Sequence, residues 1–293
     1  MYKIGFLPNL NMCDWEPERI CAVIREAGYE AIELLSSFMC ADTKTDADRK
    51  RMINAVEREG LVISEVVLQK DFVVLDEAER KENIAYVIRN IQVLSEVGVD
   101  TVNLFTGPQP WLPNPVVVGK HISQGKAWDM VFEAFESIIP VAERCGVRLA
   151  VENVWGMLCG DFFTSRYLLD RYPSRYLGVN FDPSHDVLAG NTDMAWLIRQ
   201  WGDKIFHIHL KDAAGIPQVG KFTFPLLGDG LVNWHDFFTT IDEIGYEDCM
   251  SVEFEAFDYY RNILDGKLEE GAKLSRKLVE KLMASARKEQ RMP

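Results

Sequence analysis

Ionisable side chains crowd the ends of four short, β-branched segments in the second half of this chain. RLAVEN (148–153) ends in Glu152 and Asn153, and LGVNFD (177–182) ends in Asp182, with His185 three residues further on. IFHIHLKD (205–212) carries His207, His209 and Lys211, and MSVEFE (250–255) carries Glu253 and Glu255. Each alone is ordinary for the solvated end of a strand. Three carboxylates and an imidazole meeting at successive strand ends, however, form a set of hard oxygen donors plus one nitrogen that suits a divalent cation. No cysteine stands at these positions, which argues against a structural zinc site. Mn²⁺ is the first expectation, with Mg²⁺, Co²⁺ or catalytic Zn²⁺ as alternatives. Glu253 and Glu255 share one strand face at period two, so both remain open as the last ligand.

Such residues meet only if their strands lie side by side with the C-terminal ends together. The whole chain has the rhythm for this. Apolar strand-like runs fall at 3–8, 31–35, 62–68, 102–107, 148–153, 177–182, 205–212 and 250–255. Amphipathic stretches lie between them at 16–27, 46–59, 77–97, 127–145, 163–172, 193–201 and 235–244, with a last one at 267–287 bearing Leu274, Leu278 and Leu282 at helical spacing. Several helix-to-strand junctions carry glycine (EAGYEAIEL, EREGLVIS, SEVGVDTVNL, ERCGVRLAVEN, DEIGYEDCMSVE), the residue best able to end a helix in the left-handed conformation. Eight such units predict an α/β (β/α)8 TIM barrel, with a doubly wound sheet as the alternative. No linker or low-complexity segment divides the chain, so residues 1–293 read as one domain. One connection is long: the proline-rich PQPWLPNPVVVGKHISQGK after the fourth strand, which in a barrel would overhang the active-site face.

The order and spacing of AVEN, NFDPSH, HIHLKD, PLLGDGLVNW and GYEDCMSVEFE resemble the xylose isomerase-like TIM-barrel superfamily, which includes sugar-phosphate isomerases and epimerases, keto-sugar 3-epimerases, inosose dehydratases and type-IV endonucleases. The resemblance implies Glu152, Asp182, His209 and Glu253 as metal ligands. It implies Glu152 and Glu253 as the pair flanking a substrate, one taking a proton α to a carbonyl while the other returns it. It also implies His185 as a group that hydrogen-bonds substrate, and Lys211 as a cation for an enediolate or phosphate, against the alternative of an ion pair with Asp212. His207 reads as packing beneath His209. Trp155 and His121 are candidates for the mouth, Trp155 as a substrate contact and His121 as an acid or base carried on the long loop. Keto-sugar epimerases place an arginine six residues after the strand-seven histidine, where this chain has Gly215. That departure implies a different grip on substrate, and the long loop could close over a bulky ligand such as an oxidised glycoside.

The implied activity is a metal-dependent isomerase or epimerase of a sugar or keto-sugar, with a lyase or dehydratase at the same site as the alternative. An endonuclease-like site would need histidines on early strands, and no histidine precedes His121. With 32 Lys+Arg against 45 Asp+Glu, a net charge of −13 also works against a nucleic-acid or anionic-membrane partner. A non-catalytic sugar-binding barrel is disfavoured because no member of the ligand set is missing. The six cysteines form no CxxC pair and read as reduced thiols. With no signal-peptide pattern and no run long enough to span a bilayer, the expected location is cytoplasmic, the expected partner a small carbohydrate, and a homo-oligomer is allowed.

Overall fold

The computed structural model describes residues 2–289, so residues 1 and 290–293 of the expected domain lie outside the described residues. Strands form where β-branched and apolar residues run together: β1 (Lys3–Phe6), β2 (Ala31–Leu35), β3 (Val62–Val67), β4 (Thr101–Leu104), β5 (Arg148–Glu152), β6 (Leu177–Phe181), β7 (Ile205–Leu210) and, last in the chain, β10 (Cys249–Val252). Between β7 and β10 the short strands β8 (Ala214–Gly215) and β9 (Phe222–Thr223) pair antiparallel as a hairpin outside the barrel. The eight long strands are parallel and close in the order β1-β10-β7-β6-β5-β4-β3-β2. The TIM barrel expected from the sequence is therefore the observed fold, and the doubly wound alternative falls. Helices cover the outside, so β6 and β7 are buried at every position, as strands covered on both faces must be.

Local chemistry sets the element ends. The helix Asp46–Arg58 starts in a capping box between Thr45 and Asp48, and the helix Gln124–Cys145 is capped by Ser123. At the end of the latter, Gly146 takes φ +70°, and its amide bonds back to the carbonyls of Ala142 and Glu143, turning the chain into β5. The glycines of the other four junctions (Gly28, Gly60, Gly98 and Gly245) also have positive φ.

Several expected strands overran the observed ones: 102–107 is Thr101–Leu104, and 250–255 is Cys249–Val252. The chain leaves the ladder at the barrel's C-terminal rim, so Asn153, Asp182, Lys211 and Glu253 sit just past their strands. Three short helices after strands escaped the periodicity because each is under two turns long: Ser36–Met39, Pro183–Leu188 and Phe257–Asn262. On the last helix, Leu268–Glu289, the buried stripe is Leu268, Ala272, Ser275, Val279 and Ala286. Leu278 and Leu282 flank it, half-buried against the core.

Candidate metal centre and active site

The rim of β5, β6, β7 and β10 brings together the four residues singled out as ligands. One donor atom from each of Glu152, Asp182, His209 and Glu253 lies within 4.8 Å of every other. His209 Nδ1 is 3.1 Å from Glu152 Oε1, 3.3 Å from Glu253 Oε2 and 3.9 Å from Asp182 Oδ2. Neighbouring groups aim these side chains. Gln69, just past β3, donates to Glu152 Oε2 at 2.7 Å, and Asn103 on β4 donates to the same oxygen at 3.3 Å. Asn153 ties the ends of β5 and β6 together: its Oδ1 accepts from the Asp182 amide at 2.9 Å, and its Nδ2 donates to the Asp182 carbonyl at 2.9 Å. Asp182 Oδ1 caps the helix Pro183–Leu188 by accepting from the Ser184 amide, which turns Oδ2 toward the mouth.

The donor set fits a divalent cation. Asp182 Oδ2 is fully buried and makes no hydrogen bond, although Lys211 Nζ stands 2.9 Å away as an ion pair. A buried carboxylate oxygen with one ion-pair partner and no hydrogen bond has lone-pair capacity left for a further cation. Three carboxylates, one imidazole nitrogen and no thiolate are the ligand chemistry of a hard or borderline divalent ion.

Charge is distributed unevenly around this centre. Burial works against the charged form of His209, but Glu33, Glu152 and Glu253 outweigh it and hold its pKa well above the ordinary histidine value. Burial also opposes charge on Asp182 and Glu253, yet Lys211 on the first, and Lys211 with His209 on the second, hold both below the usual carboxylate range. Burial raises Glu152. Glu255 is pushed up to about 7 by burial and by the charge of Glu253, against the pull of Lys211. His185, also buried, drops to about 3 and is neutral.

Lys211 takes the ion-pair role, but not with its neighbour in sequence. Its ammonium lies 2.5 Å from Glu253 Oε2 and 3.1 Å from Glu255 Oε2, as well as facing Asp182. Asp212 points the other way and accepts from the amides of Ala213, Gly228, Gly230 and Val232 and from the Trp234 indole. The expected alternative, a Lys211–Asp212 pair, is thus replaced by a turn wrapped on Asp212. The same contacts occupy the Gly228 and Gly230 amides of the LGDG loop.

A cavity of about 550 Å³ opens above the centre, with Glu152, His185, Lys211, Glu253 and Glu255 at its floor. Trp155 lines its wall. His121 does not. The segment 117–122 folds back on itself, with the His121 amide bonded to the Val117 carbonyl and its Nδ1 accepting from the Val117 amide. His121 is exposed and lies outside the cavity lining, so the catalytic role expected of it has no geometric support.

Sequence reasoning passed over the layer beneath. Glu33 on β2 and Glu65 on β3 are completely buried, and with His207 and His209 they form a second close group. Glu33 Oε1 is 3.1 Å from His209 Nε2, the nitrogen facing away from the ligand carboxylates. That contact favours a proton on Nε2, so that Nδ1, once it gives up the proton it shares with Glu152, is the nitrogen that would face a cation, a common arrangement behind metal-bound histidines. A signal was present: AIELL and VISEVV each carry a charge in an otherwise apolar strand, and charges are almost never fully buried without a partner.

The comparisons with known proteins agree with the fold. The family described as xylose isomerase-like TIM barrel matches residues 21–282. The chain belongs to that family. Among curated relatives, inosose dehydratase of Clostridium perfringens is 22% identical over 160 residues, covering 50% of this chain and 54% of the relative. The chain spans about half the length of the curated relatives it matches. Among solved structures, L-ribulose 3-epimerase superposes with a TM-score of 0.75 at 18% identity, covering 99% of this chain and 97% of that one. An IolI protein with a bound zinc atom gives 0.72 at 17% identity, covering 97% and 99%. The family member is thus similar to sugar epimerases and a dehydratase, and it carries a residue group able to hold a divalent metal. Among the described residues no helix is long and apolar enough to cross a membrane.

Proposed function

We propose that the protein is a divalent-cation-dependent isomerase or epimerase of a sugar or keto-sugar, working by proton abstraction α to a carbonyl. The observation that carries this reading is the pair Glu152 and Glu253. They project from β5 and β10, strands separated by β6 and β7 around the barrel, into the floor of one cavity. Glu152, Asp182, His209 and Glu253 would hold a divalent cation, with Mn²⁺ the first choice, which would supply Lewis-acid polarisation of a hydroxy-ketone and so acidify its α proton. Glu152, raised by burial, is suited to take that proton, and Glu253, beside the Lys211 ammonium, to govern its return on the other side. His185, neutral and lining the cavity with its Nε2 3.3 Å from the Lys211 ammonium, is the group we assign to a substrate hydroxyl. Lys211 offsets negative charge developing on substrate oxygen.

Elimination is the second reading, and Glu255 favours it. Its carboxyl lines the cavity, stands outside the ligand group and keeps its proton to about pH 7, so it can protonate a leaving group β to the carbonyl. A carbohydrate is the partner in both readings.

The test is solvent-deuterium exchange into a panel of keto-sugars, followed by NMR. The α proton exchanges in the wild-type protein with Mn²⁺, and Glu152→Gln and Glu253→Gln abolish the exchange. Turnover that never brings deuterium into substrate or product would rule the mechanism out. Loss of a substituent together with exchange selects elimination over epimerisation.

A further inference from the structure

The cavity has two chemistries stacked one above the other. All its carboxylates and its imidazole lie on the floor or lower wall, except Asp258 at the rim. Above them runs a file of aromatic rings from four different loops. Trp155, after β5, packs on Trp111 of the long loop at 6.3 Å between centroids and on Phe222 of the hairpin at 4.7 Å. Phe222 meets Phe224 at 5.2 Å, and Phe224 descends to His185 at 5.8 Å, with the Lys211 ammonium 4.8 Å from its ring. Phe257, after β10, also lines the cavity.

The cavity as a whole is larger than a single sugar ring fills, and the aromatic rings themselves present no charge to a phosphate. The cavity, about 550 Å³, falls in the range of roughly 300–1,000 Å³ that drug-sized ligands fill. Of the two cations in its lining, Lys211 lies at the floor among three carboxylates, and Arg261 is exposed beside Asp258 at 3.1 Å. Trp111 is 50% exposed, and its neighbour Leu112 and the hairpin-tip residues Ile216 and Val219 are also exposed. Of these exposed apolar residues Trp111 lines the cavity itself, and exposed apolar side chains beside a cavity with a polar floor mark a ligand-binding surface.

We infer that the aromatic collar formed by Trp111, Trp155, Phe222, Phe224 and Phe257 is a subsite for a flat, apolar ring attached to the sugar, so that the substrate class is an aryl-substituted sugar. The sugar's oxygens face the floor while the aryl group stacks between the Trp111 loop and the hairpin. Aromatic pairs contribute about 0.5–1.5 kcal/mol beyond the area they bury, so the ring adds affinity without any new polar contact. The inference rests on the sugar-directed reading of the floor.

The experiment measures binding, not turnover. Dissociation constants are taken by calorimetry, and by tryptophan fluorescence, for matched phenyl and methyl glycosides of glucose, galactose and xylose, using the full chain with Mn²⁺. In at least one pair the phenyl glycoside binds roughly tenfold tighter, which corresponds to about 1.4 kcal/mol. Trp111→Ala shrinks that ratio toward one, and Trp111→Phe restores most of it. Because Trp111 is half-exposed, its removal leaves the core intact. Phenyl and methyl partners binding alike in every pair, or tightest binding by a sugar phosphate, would overturn the collar. A phenyl preference without deuterium exchange overturns only the enediolate reading, and exchange without a phenyl preference overturns only the collar.

Discussion

His207 and His209 stand two residues apart on one face of β7, with rings perpendicular and 5.6 Å between centroids, yet their charges are opposite in tendency. Both are buried. Burial drives the pKa of His207 down to about 3, and nearby Glu33 does not reverse it. For His209 the same burial is outweighed by Glu33 beneath and by Glu152 and Glu253 above. His207 Nε2 bonds to the Ser251 hydroxyl at 3.0 Å, and its Nδ1 lies 3.1 Å from Asn180 Oδ1 and from Glu65. The lower layer is a neutral hydrogen-bonded floor at this histidine, and the upper layer is an anionic ring open to the cavity. Residue type and strand face do not separate the two histidines. The number of carboxylates converging on each does.

The strongest way to break this comparison is to remove each histidine in turn. His209→Gln loses the cation from the purified protein, as elemental analysis reads it, and loses deuterium exchange with it. His207→Gln retains a bound cation. Equal metal content in the two variants would show that the layers are not distinct.

Next in size is the carboxylate beneath the ligand. Glu33→Ala weakens divalent-cation affinity by about 10–100-fold, because His209 loses the partner that orients its ring and holds the proton on Nε2. Glu33→Gln, which can still accept that hydrogen bond, recovers part of the loss. Titration calorimetry with Mn²⁺ reads both, and an unchanged affinity in Glu33→Ala would remove Glu33 from the site.

Proton competition sharpens the comparison further. A cation can take His209 Nδ1 only after a proton leaves, so apparent affinity rises with pH, by up to about tenfold per unit for each proton released. Binding heats measured in buffers of different ionisation enthalpy count the protons. Chelation removes the cation, and activity with it.

The smallest effect is on stability in the metal-free chain, where the two histidines act with opposite sign. His207, depressed to about 3 when folded, binds its proton first in the unfolded chain, so its contribution is lost as pH falls from about 6.5 toward 3. His209, raised when folded, contributes stability that is complete below about 6.5 and is lost as pH rises through its folded value. In His207→Gln, thermal melts lose the acid-side component. The variant also costs about 1–3 kcal/mol if it orphans Ser251 or Asn180.

The alternation of eight apolar runs with amphipathic stretches, punctuated by glycines such as Gly146 that must take positive φ, determined eight α/β units from sequence, while the pairing of β1 with β10 decided closure into a barrel over a doubly wound sheet. Local periodicity and backbone sterics are properties of short segments. The candidate ligands were legible for a related reason: Glu152, Asp182, His209 and Glu253 each fall where a strand ends, and a barrel gathers strand ends. Tertiary structure alone decided the rest. It set Glu253 rather than Glu255 facing His209, through the position of Lys211 between them. It turned Asp212 away to hold a loop, and it folded the segment bearing His121 back on itself outside the cavity. It placed Glu33 under His209, and it brought Trp111, Trp155, Phe222 and Phe257 from four loops into one wall. Each of these depends on which distant segments become neighbours. Charge state, hydrogen-bond partner and cavity shape follow from that proximity, which no local pattern of residues encodes.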